Sequence, residues 1–236
     1  MNKALKVIAA AVIILAVVGG ILCVYTGVPG YIGLLLASGR SKIDYTEWAH
    51  KDSSVPEKSI TLEHEGFEMD VPAEMKLKKG EDKDAGSVRY VMDTDGDSRS
   101  DFLVQLSTNA LAGINMAENG SRGKKVGVDN AYGAMEFMYS LDPKKCNMFS
   151  REEVSIYQTT LLMRSGLFIG NEKTVCHFEN DTCKGFVTSF IESDDRFMYA
   201  VSVYDMKDLN RGTTIYISGN EPSEELAFGI RNSLRA

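Results

Sequence analysis

The sequence contains few of the residues on which most enzyme and metal sites depend. Of its 236 residues, three are histidine, one is tryptophan and five are proline. It lacks a His-Glu-x-x-His zinc signature, a P-loop, a dinucleotide fingerprint and a Gly-x-Ser-x-Gly elbow. Four cysteines are too few for a disulfide-dense mini-protein, and the low proline content excludes collagen. We therefore predict no catalytic residues, although a cell-envelope hydrolase with a carboxylate site would carry no such signature.

Acidic residues are absent from the first part of the chain and outnumber basic residues in the rest. Residues 1–42 contain four of the 26 basic residues and no acidic residue. Residues 43–236 therefore contain the other 22 basic residues and all 33 acidic ones, so the two parts carry formal charges of +4 and −11. Nucleic-acid affinity comes largely from Lys and Arg side chains that neutralise phosphates. We expect no nucleic acid among the partners of the acidic part.

One long run near the N-terminus contains no charge. The 33 residues Val7–Gly39 are all uncharged, and their most apolar part ends at Tyr25. About 20 apolar residues in a helix span a bilayer core of roughly 30 Å. The sequence therefore predicts a membrane anchor over residues 1–37, with a transmembrane helix at about 7–28 and an interfacial segment at 31–37.

Two alternatives concern the fate of this anchor. The run is longer than the apolar region of a cleaved signal peptide, although the small residues Ala37, Ser38 and Gly39 would suit a peptidase. A lipid attached to Cys23 would require a small residue before it, and Leu22 stands there. We therefore expect an uncleaved anchor without lipidation.

Positive charge is concentrated before the apolar run. Lys3, Lys6 and the amino terminus precede it, whereas acidic residues dilute the basic residues that follow it. The positive-inside rule then places the N-terminus in the cytoplasm. We expect a single-pass protein of the cell membrane with an extracytoplasmic domain. A domain that faces the cytoplasm is the alternative.

Beyond the anchor, residues 38–59 are polar and are predicted to form a linker, whereas residues 60–236 contain regular patterns. The predicted strands are 60–64, 67–71, 87–92, 102–107, 173–178, 185–192, 196–204 and 213–217, and the predicted helices are 130–141, 151–165 and the segment from Pro222. Ser150 and Glu153 form a capping box before the second helix. Together these elements predict an α+β domain in which helices pack on an antiparallel sheet.

One acidic turn has the residue types of a calcium site. The segment DTDGDSRSD places oxygen donors at loop positions 1, 3, 5, 7 and 9: Asp93, Asp95, Asp97, the backbone carbonyl of Arg99, and Asp101. Ca²⁺ takes about six to eight oxygen ligands, which alternate positions of a tight loop can supply. The loop resembles those of integrin-type β-propellers but lacks their second glycine and a bidentate Glu at position 12. We expect a weak Ca²⁺ site, with a solvated acidic turn as the alternative.

Three cysteines follow the anchor: Cys146, Cys176 and Cys183. The last two flank HFENDT, and a hairpin that turns near residues 179–181 would place them opposite each other. Cross-strand neighbours have Cβ atoms close enough for a disulfide, which we predict. Reduced thiols are the alternative, favoured if the domain faces the cytoplasm. A zinc site that includes His177 lacks a fourth ligand.

Three stretches resemble the PsbP-like α/β sandwich family. GFEMDVPAEM (66–75), RFMYAVSVYD (196–205) and EELAFGIRNSL (224–234) are similar to its opening strand, a late central strand and its closing helix. The resemblance covers about 60–236 and implies a non-catalytic binding or assembly module. We therefore expect an accessory protein that binds an unknown protein or envelope ligand, with Ca²⁺ as its one candidate cofactor.

Overall fold

The computed structural model describes residues 12–21, 25–39, 43–47, 53–55, 57–78, 87–93, 101–107, 120–167, 174–193, 196–220 and 224–236. Its strands are β1 (Asp44–Glu47), β2 (Ser59–His64), β3 (Phe67–Pro72), β4 (Lys76–Leu77), β5 (Ser87–Met92), β6 (Phe102–Ser107), β7 (Thr174–Glu179), β8 (Cys183–Ser193), β9 (Arg196–Asp205) and β10 (Gly212–Asn220). Its helices are α1 (Val28–Ser38), α2 (Gly120–Lys125), α3 (Ala131–Tyr139), α4 (Arg151–Leu167) and α5 (Glu224–Asn232), and residues 12–21 are also helical. Within these residues, no helix is both long enough and apolar enough to cross a membrane.

The chain divides into two compact units. Unit one comprises the described parts of residues 1–42 and 140–167, and unit two those of residues 43–139 and 168–236. Unit two contains all the strands and the helices α2, α3 and α5, whereas unit one is helical. The predicted α+β class, with a mostly antiparallel sheet and several helices, is confirmed.

Eight of the described strands form one sheet in the order β1-β7-β8-β9-β10-β6-β5-β4, and its pairs are antiparallel except for β1–β7. The other two, β2 and β3, form the predicted hairpin, whose turn residues Glu65 and Gly66 have φ of 56° and 77°. Positive φ at both central residues suits a tight hairpin turn. The strand β1 lies within the segment predicted to be a linker. It is a polar edge strand of four residues, whose pairing depends on distant β7 rather than on its own pattern.

One face of the sheet is packed into an apolar core. Phe102, Val104 and Leu106 alternate along β6 and point into it. The hairpin contributes Phe67 and Met69, and the α5 region contributes four side chains: Ala227, Phe228, Ile230 and Leu234. The hairpin and α5 thus cover the same face, which we call the apolar face.

The C-terminus is tied to β3 by charged hydrogen bonds. Arg235 Nε donates to Glu68 Oε2 at 2.8 Å, and Arg235 Nη2 donates to Asp70 Oδ1 at 3.1 Å. The backbones of Glu68 and Arg235 also pair in an antiparallel bridge. The hydrogen bonds from Arg235 hold the pKa of Asp70 below its ordinary value. Because the folded-state pKa of Asp70 is lowered, this pair stabilises the fold above the unfolded-state pKa of about 3.9 and is lost as the pH falls.

The variant Arg235→Gln is therefore expected to have a pH-dependent defect. At pH 7 its free energy of unfolding should fall by about 0.5–1 kcal/mol, a small effect because the pair is partly exposed. The difference from wild type should shrink as the pH falls below 4, where Asp70 becomes protonated. Urea unfolding at several pH values measures this. A defect that persists unchanged in acid, or an equal one in the control Lys58→Gln, would contradict the assignment.

Unit one is built on close contact between α1 and α4. A Cβ added at Gly30 would lie 2.9 Å from Val154 Cγ1, and Gln158 Nε2 donates to the Gly30 carbonyl at 2.9 Å. Half of the predicted capping box is present, since the Glu153 amide donates to Ser150 Oγ at 3.2 Å, whereas Glu153 Oε1 accepts from the Asn147 amide rather than from that of Ser150. A glycine on α1 therefore allows the two helices to approach.

Candidate functional site

The second face of the large sheet is also buried, and it carries hydroxyl side chains beside aromatic ones. Thr188 on β8, Ser202 on β9, and Thr214 and Ser218 on β10 lie on this face, which we call the polar face. All four are less than one-tenth exposed. Buried polar side chains are retained in proteins mainly where they form hydrogen bonds or serve a site. The polar face is therefore the candidate functional surface of unit two.

Aromatic side chains from α3 pack on the polar face around Phe186. The ring of Tyr132 stacks on Phe186 at 5.0 Å between centroids, and Tyr139 approaches the same ring at 5.1 Å. Tyr204 meets Tyr132 edge-on at 5.6 Å, and Tyr45 of β1 lies 6.5 Å from Phe186. These five residues form the aromatic cluster. Such distances are those of favourable aromatic pairs.

The N-terminus of α3 is fixed by specific hydrogen bonds. The Gly133 amide donates to Asn130 Oδ1 at 2.7 Å, as expected for an Asn N-cap. Two groups of the β9–β10 turn accept further hydrogen bonds from α3. The Tyr132 amide donates to the Leu209 carbonyl at 3.0 Å, and the Ala131 amide donates to Asn210 Oδ1 at 3.2 Å. The turn therefore positions Tyr132 over the sheet.

Charged groups surround the outer edge of the aromatic cluster. Lys184 Nζ lies 4.2 Å from the centre of the Tyr132 ring, a cation–π contact. Burial, together with the carboxylate of Glu136, raises the pKa of Tyr45 to about 12 and also raises that of Tyr132. At neutral pH both phenols are protonated. They can donate and accept hydrogen bonds, but they are poor bases and poor nucleophiles.

Two hydroxyl groups on the polar face have no hydrogen-bond partner within the described part of the chain: Tyr204 Oη and Thr214 Oγ1. Both residues are 0% exposed. Thr214 pairs with Ser202, and Tyr204 lies two residues further along β9 on the same face. A buried polar group left unsatisfied costs about 1–3 kcal/mol. This arrangement offers two hydrogen-bonding groups to an ordered water or a small polar ligand.

Removing one of these hydroxyls should stabilise the protein. We expect Tyr204→Phe to raise the free energy of unfolding by about 1 kcal/mol, because it keeps the ring contacts and removes an unsatisfied group. The control Tyr25→Phe, at a side chain that is 77% exposed, should change nothing measurable. Urea unfolding of the full chain in detergent measures both. A destabilised Tyr204→Phe would contradict the prediction and would show that the hydroxyl has a partner.

The acidic turn is only partly described. Asp95, Asp97 and Arg99 lie outside the described residues, so the structure gives no geometry for them. Asp93 and Asp101 adjoin the last paired residues of β5 and β6, and the Asp101 amide donates to the Met92 carbonyl at 3.0 Å. The two ends of the predicted loop are therefore brought together. Across the described residues, no group of three His, Cys, Asp or Glu side chains could hold a metal ion.

The expected pairing of Cys176 with Cys183 is wrong. The register pairs Cys176 with Val187, and Cys183 lies four residues further along β8. At about 3.3 Å per residue the offset is about 13 Å, whereas a disulfide needs Cα atoms within about 7 Å. The turn is centred nearer Cys183 than predicted, because the Asn180 amide bonds the Cys183 carbonyl at 2.9 Å. Cys146, Cys176 and Cys183 are free thiols.

Sequence reasoning missed the aromatic cluster. Residues 130–141 were predicted only as a helix, and one signal for the cluster was present, since Tyr132 and Tyr139 are spaced i, i+7 on one helical face. Tyr45 was placed in the linker. No local sequence pattern indicates that these tyrosines contact Phe186. No family model matches the chain, and a search of curated proteins finds no significant match.

Proposed function

We propose that this protein is a single-pass, membrane-anchored accessory protein whose extracytoplasmic α+β unit binds a protein or envelope ligand without catalysis. The observation that carries the proposal is the outer edge of the aromatic cluster on the polar face, where Tyr45 is half-buried and Lys184 lies over the Tyr132 ring. Protonated tyrosines suit recognition rather than acid–base chemistry. The resemblance to the PsbP-like family favours the same kind of module.

Membrane attachment is supported by the apolar N-terminal run. Along the helical residues 12–21 the large apolar side chains are exposed: Val12, Ile13, Ile14, Leu15, Val17, Val18 and Ile21. A helix of a soluble protein normally buries its large apolar side chains. A helix that exposes them on all sides therefore favours a lipid environment. The positive charges before the run favour a cytoplasmic N-terminus.

Topology can be tested with a cysteine placed in the β9–β10 turn. Lys207 is exposed there, so Lys207→Cys should react with a membrane-impermeant maleimide in intact cells. The wild-type chain is the control, because Cys146 and Cys183 are buried and Cys176 is half-buried. Labelling of Lys207→Cys that requires permeabilised cells would overturn the extracytoplasmic placement.

Binding can be tested by crosslinking in native membranes. A photoreactive phenylalanine analogue at Tyr45, on the half-buried edge of the aromatic cluster, should form a discrete crosslinked product. The same analogue at Lys58, exposed at the start of β2, is the control. Products that are absent at both positions, or equal at both, would overturn a binding role for the polar face.

We propose further that Ca²⁺ occupies the acidic turn between β5 and β6. The paired ends of the two strands support a closed loop there. Millimolar Ca²⁺ should raise the melting temperature of the wild type but not that of Asp95→Ala, since a ligand that binds only the folded state stabilises it. Equal melting temperatures with and without Ca²⁺ would end the proposal.

A further inference from the structure

A loop in unit one exposes apolar and basic side chains beside Gly27, near the end of the transmembrane helix predicted at about 7–28. Phe149 is 58% exposed and Met148 is 38% exposed, and Lys144 and Lys145 are exposed just before them. We call residues 144–149, which begin at the end of a short 3-10 helix (Pro143–Lys145), the KKCNMF loop. Exposed aromatic and aliphatic side chains next to lysines are the composition of membrane-interface segments.

The position of this loop follows from the contacts of α1 with α4. A Cβ added at Gly27 would lie 3.0 Å from the Met148 carbonyl and 2.6 Å from Val154 Cγ2. Further along α1, the nearest side-chain atom to Gly33 belongs to Gln158. The two helices therefore run in the same direction from a common level at Gly27. The KKCNMF loop lies at that level, where the transmembrane helix predicted at about 7–28 ends, and α1 and α4 lead away from it side by side.

Two of the carboxylates near the loop accept hydrogen bonds from backbone amides. Asp142 Oδ1 accepts from the Lys144 amide at 3.0 Å, and Glu153 Oε1 accepts from the Asn147 amide at 2.8 Å. These bonds fix the loop and direct two negative charges toward its own backbone. The side chains of Lys144 and Lys145 remain exposed, which suits anionic lipid headgroups.

We propose that the KKCNMF loop is a second membrane contact, which inserts Met148 and Phe149 into the interface of an anionic bilayer. This inference rests on the proposed membrane anchor. It adds that the unit is held against the bilayer at two points distant in sequence, because a single flexible attachment would leave these side chains in water. The occupant of the surface is lipid rather than a second copy or another protein.

Depth-dependent fluorescence quenching tests the proposal on the full chain. Trp48 is the sole tryptophan, so Trp48→Phe provides a silent background. In this background Phe149→Trp is reconstituted into phosphatidylglycerol–phosphatidylcholine vesicles whose acyl chains are brominated near the headgroup. Its emission should shift to the blue and fall by about twofold relative to unbrominated vesicles.

The matched control is Leu162→Trp on α4. Leu162 is 74% exposed and lies eight residues beyond Val154, about 12 Å further from the loop along the helix. It should show no quenching. Adding Lys144→Glu and Lys145→Glu to Phe149→Trp should reduce the quenching in anionic vesicles.

The fluorescence and flotation results together separate the loop contact from its alternatives. A blue shift at position 149 without lipid quenching would indicate a protein contact and overturn the proposal. Equal quenching at positions 149 and 162 would also overturn it, because the whole helix would then lie on the membrane. If the protein floats with the vesicles but position 149 is not quenched, only the loop contact fails. If the protein does not float with them, the membrane anchor fails as well.

Discussion

Phe186→Ala is expected to lower the free energy of unfolding of unit two by about 3–5 kcal/mol. Phe186 is 0% exposed, and its ring contacts those of Tyr45, Tyr132, Tyr139 and Tyr204. Truncation to alanine removes the apolar ring and leaves a cavity that four aromatic rings cannot fill without leaving their own positions. The loss should therefore lie near the upper end for a single core residue.

The measurement is urea unfolding of the full chain in detergent, followed by hydrogen exchange of the β8 and β9 amides. Truncation at an exposed site of the same unit, Met206→Ala, is the control and should change the free energy of unfolding by less than about 0.5 kcal/mol. Phe186→Ala should also lose the crosslink expected at Tyr45, because the Phe186 ring against which Tyr45 packs is gone. A loss below about 1 kcal/mol would show that the aromatic cluster is not packed as described.

Local patterns predicted most of the secondary structure. The alternation of Phe67, Met69 and Val71 identified β3, and all three side chains are buried in the apolar face. The capping residues Ser150 and Glu153 marked the start of α4 correctly. These features depend on residues close together in the sequence, so a single chain is sufficient to recognise them.

The candidate site depends on distant pairings that no local pattern encodes. Tyr45 reaches Phe186 because β1 pairs in parallel with β7, more than 120 residues away. The cysteine pairing failed for a related reason, since moving a turn by two residues shifts the strand register by four. Patterns therefore indicate which face of a strand is buried, but pairing decides which side chains meet there.

The second prediction of a large effect concerns Gly185, which precedes Phe186 and would present a side chain on the opposite, apolar face of the sheet. Gly185→Ala is expected to lower the free energy of unfolding by about 3 kcal/mol or more, at the severe end for an added methyl group. An added Cβ would overlap the carbonyl oxygen of Ser202 on β9 and lie 3.1 Å from Phe178 Cε1. The carbonyl belongs to the backbone of the neighbouring strand, so it cannot move without breaking the β8–β9 pairing.

Side-chain movement cannot relieve this overlap either. Phe178 pairs with Gly185 across β7 and β8, so its ring covers the position that a glycine leaves open. Arg231 of α5 also packs on this ring, with its guanidinium carbon 4.0 Å from the ring centre. A methyl group at Gly185 would therefore press on β9 and α5 together, and both belong to the core of unit two.

Gly120→Ala on α2 is the matched control, because a Cβ added there meets no atom within 4 Å. It should leave the free energy of unfolding unchanged or raise it by about 0.5 kcal/mol, because alanine allows the unfolded chain fewer conformations than glycine does. Chemical denaturation of both variants in the same detergent compares the two glycines directly. Equal stabilities would mean that β8 and β9 are not in the register that pairs Gly185 with Val203. The same register places Phe186 opposite Ser202, so the polar face would then require a different arrangement as well.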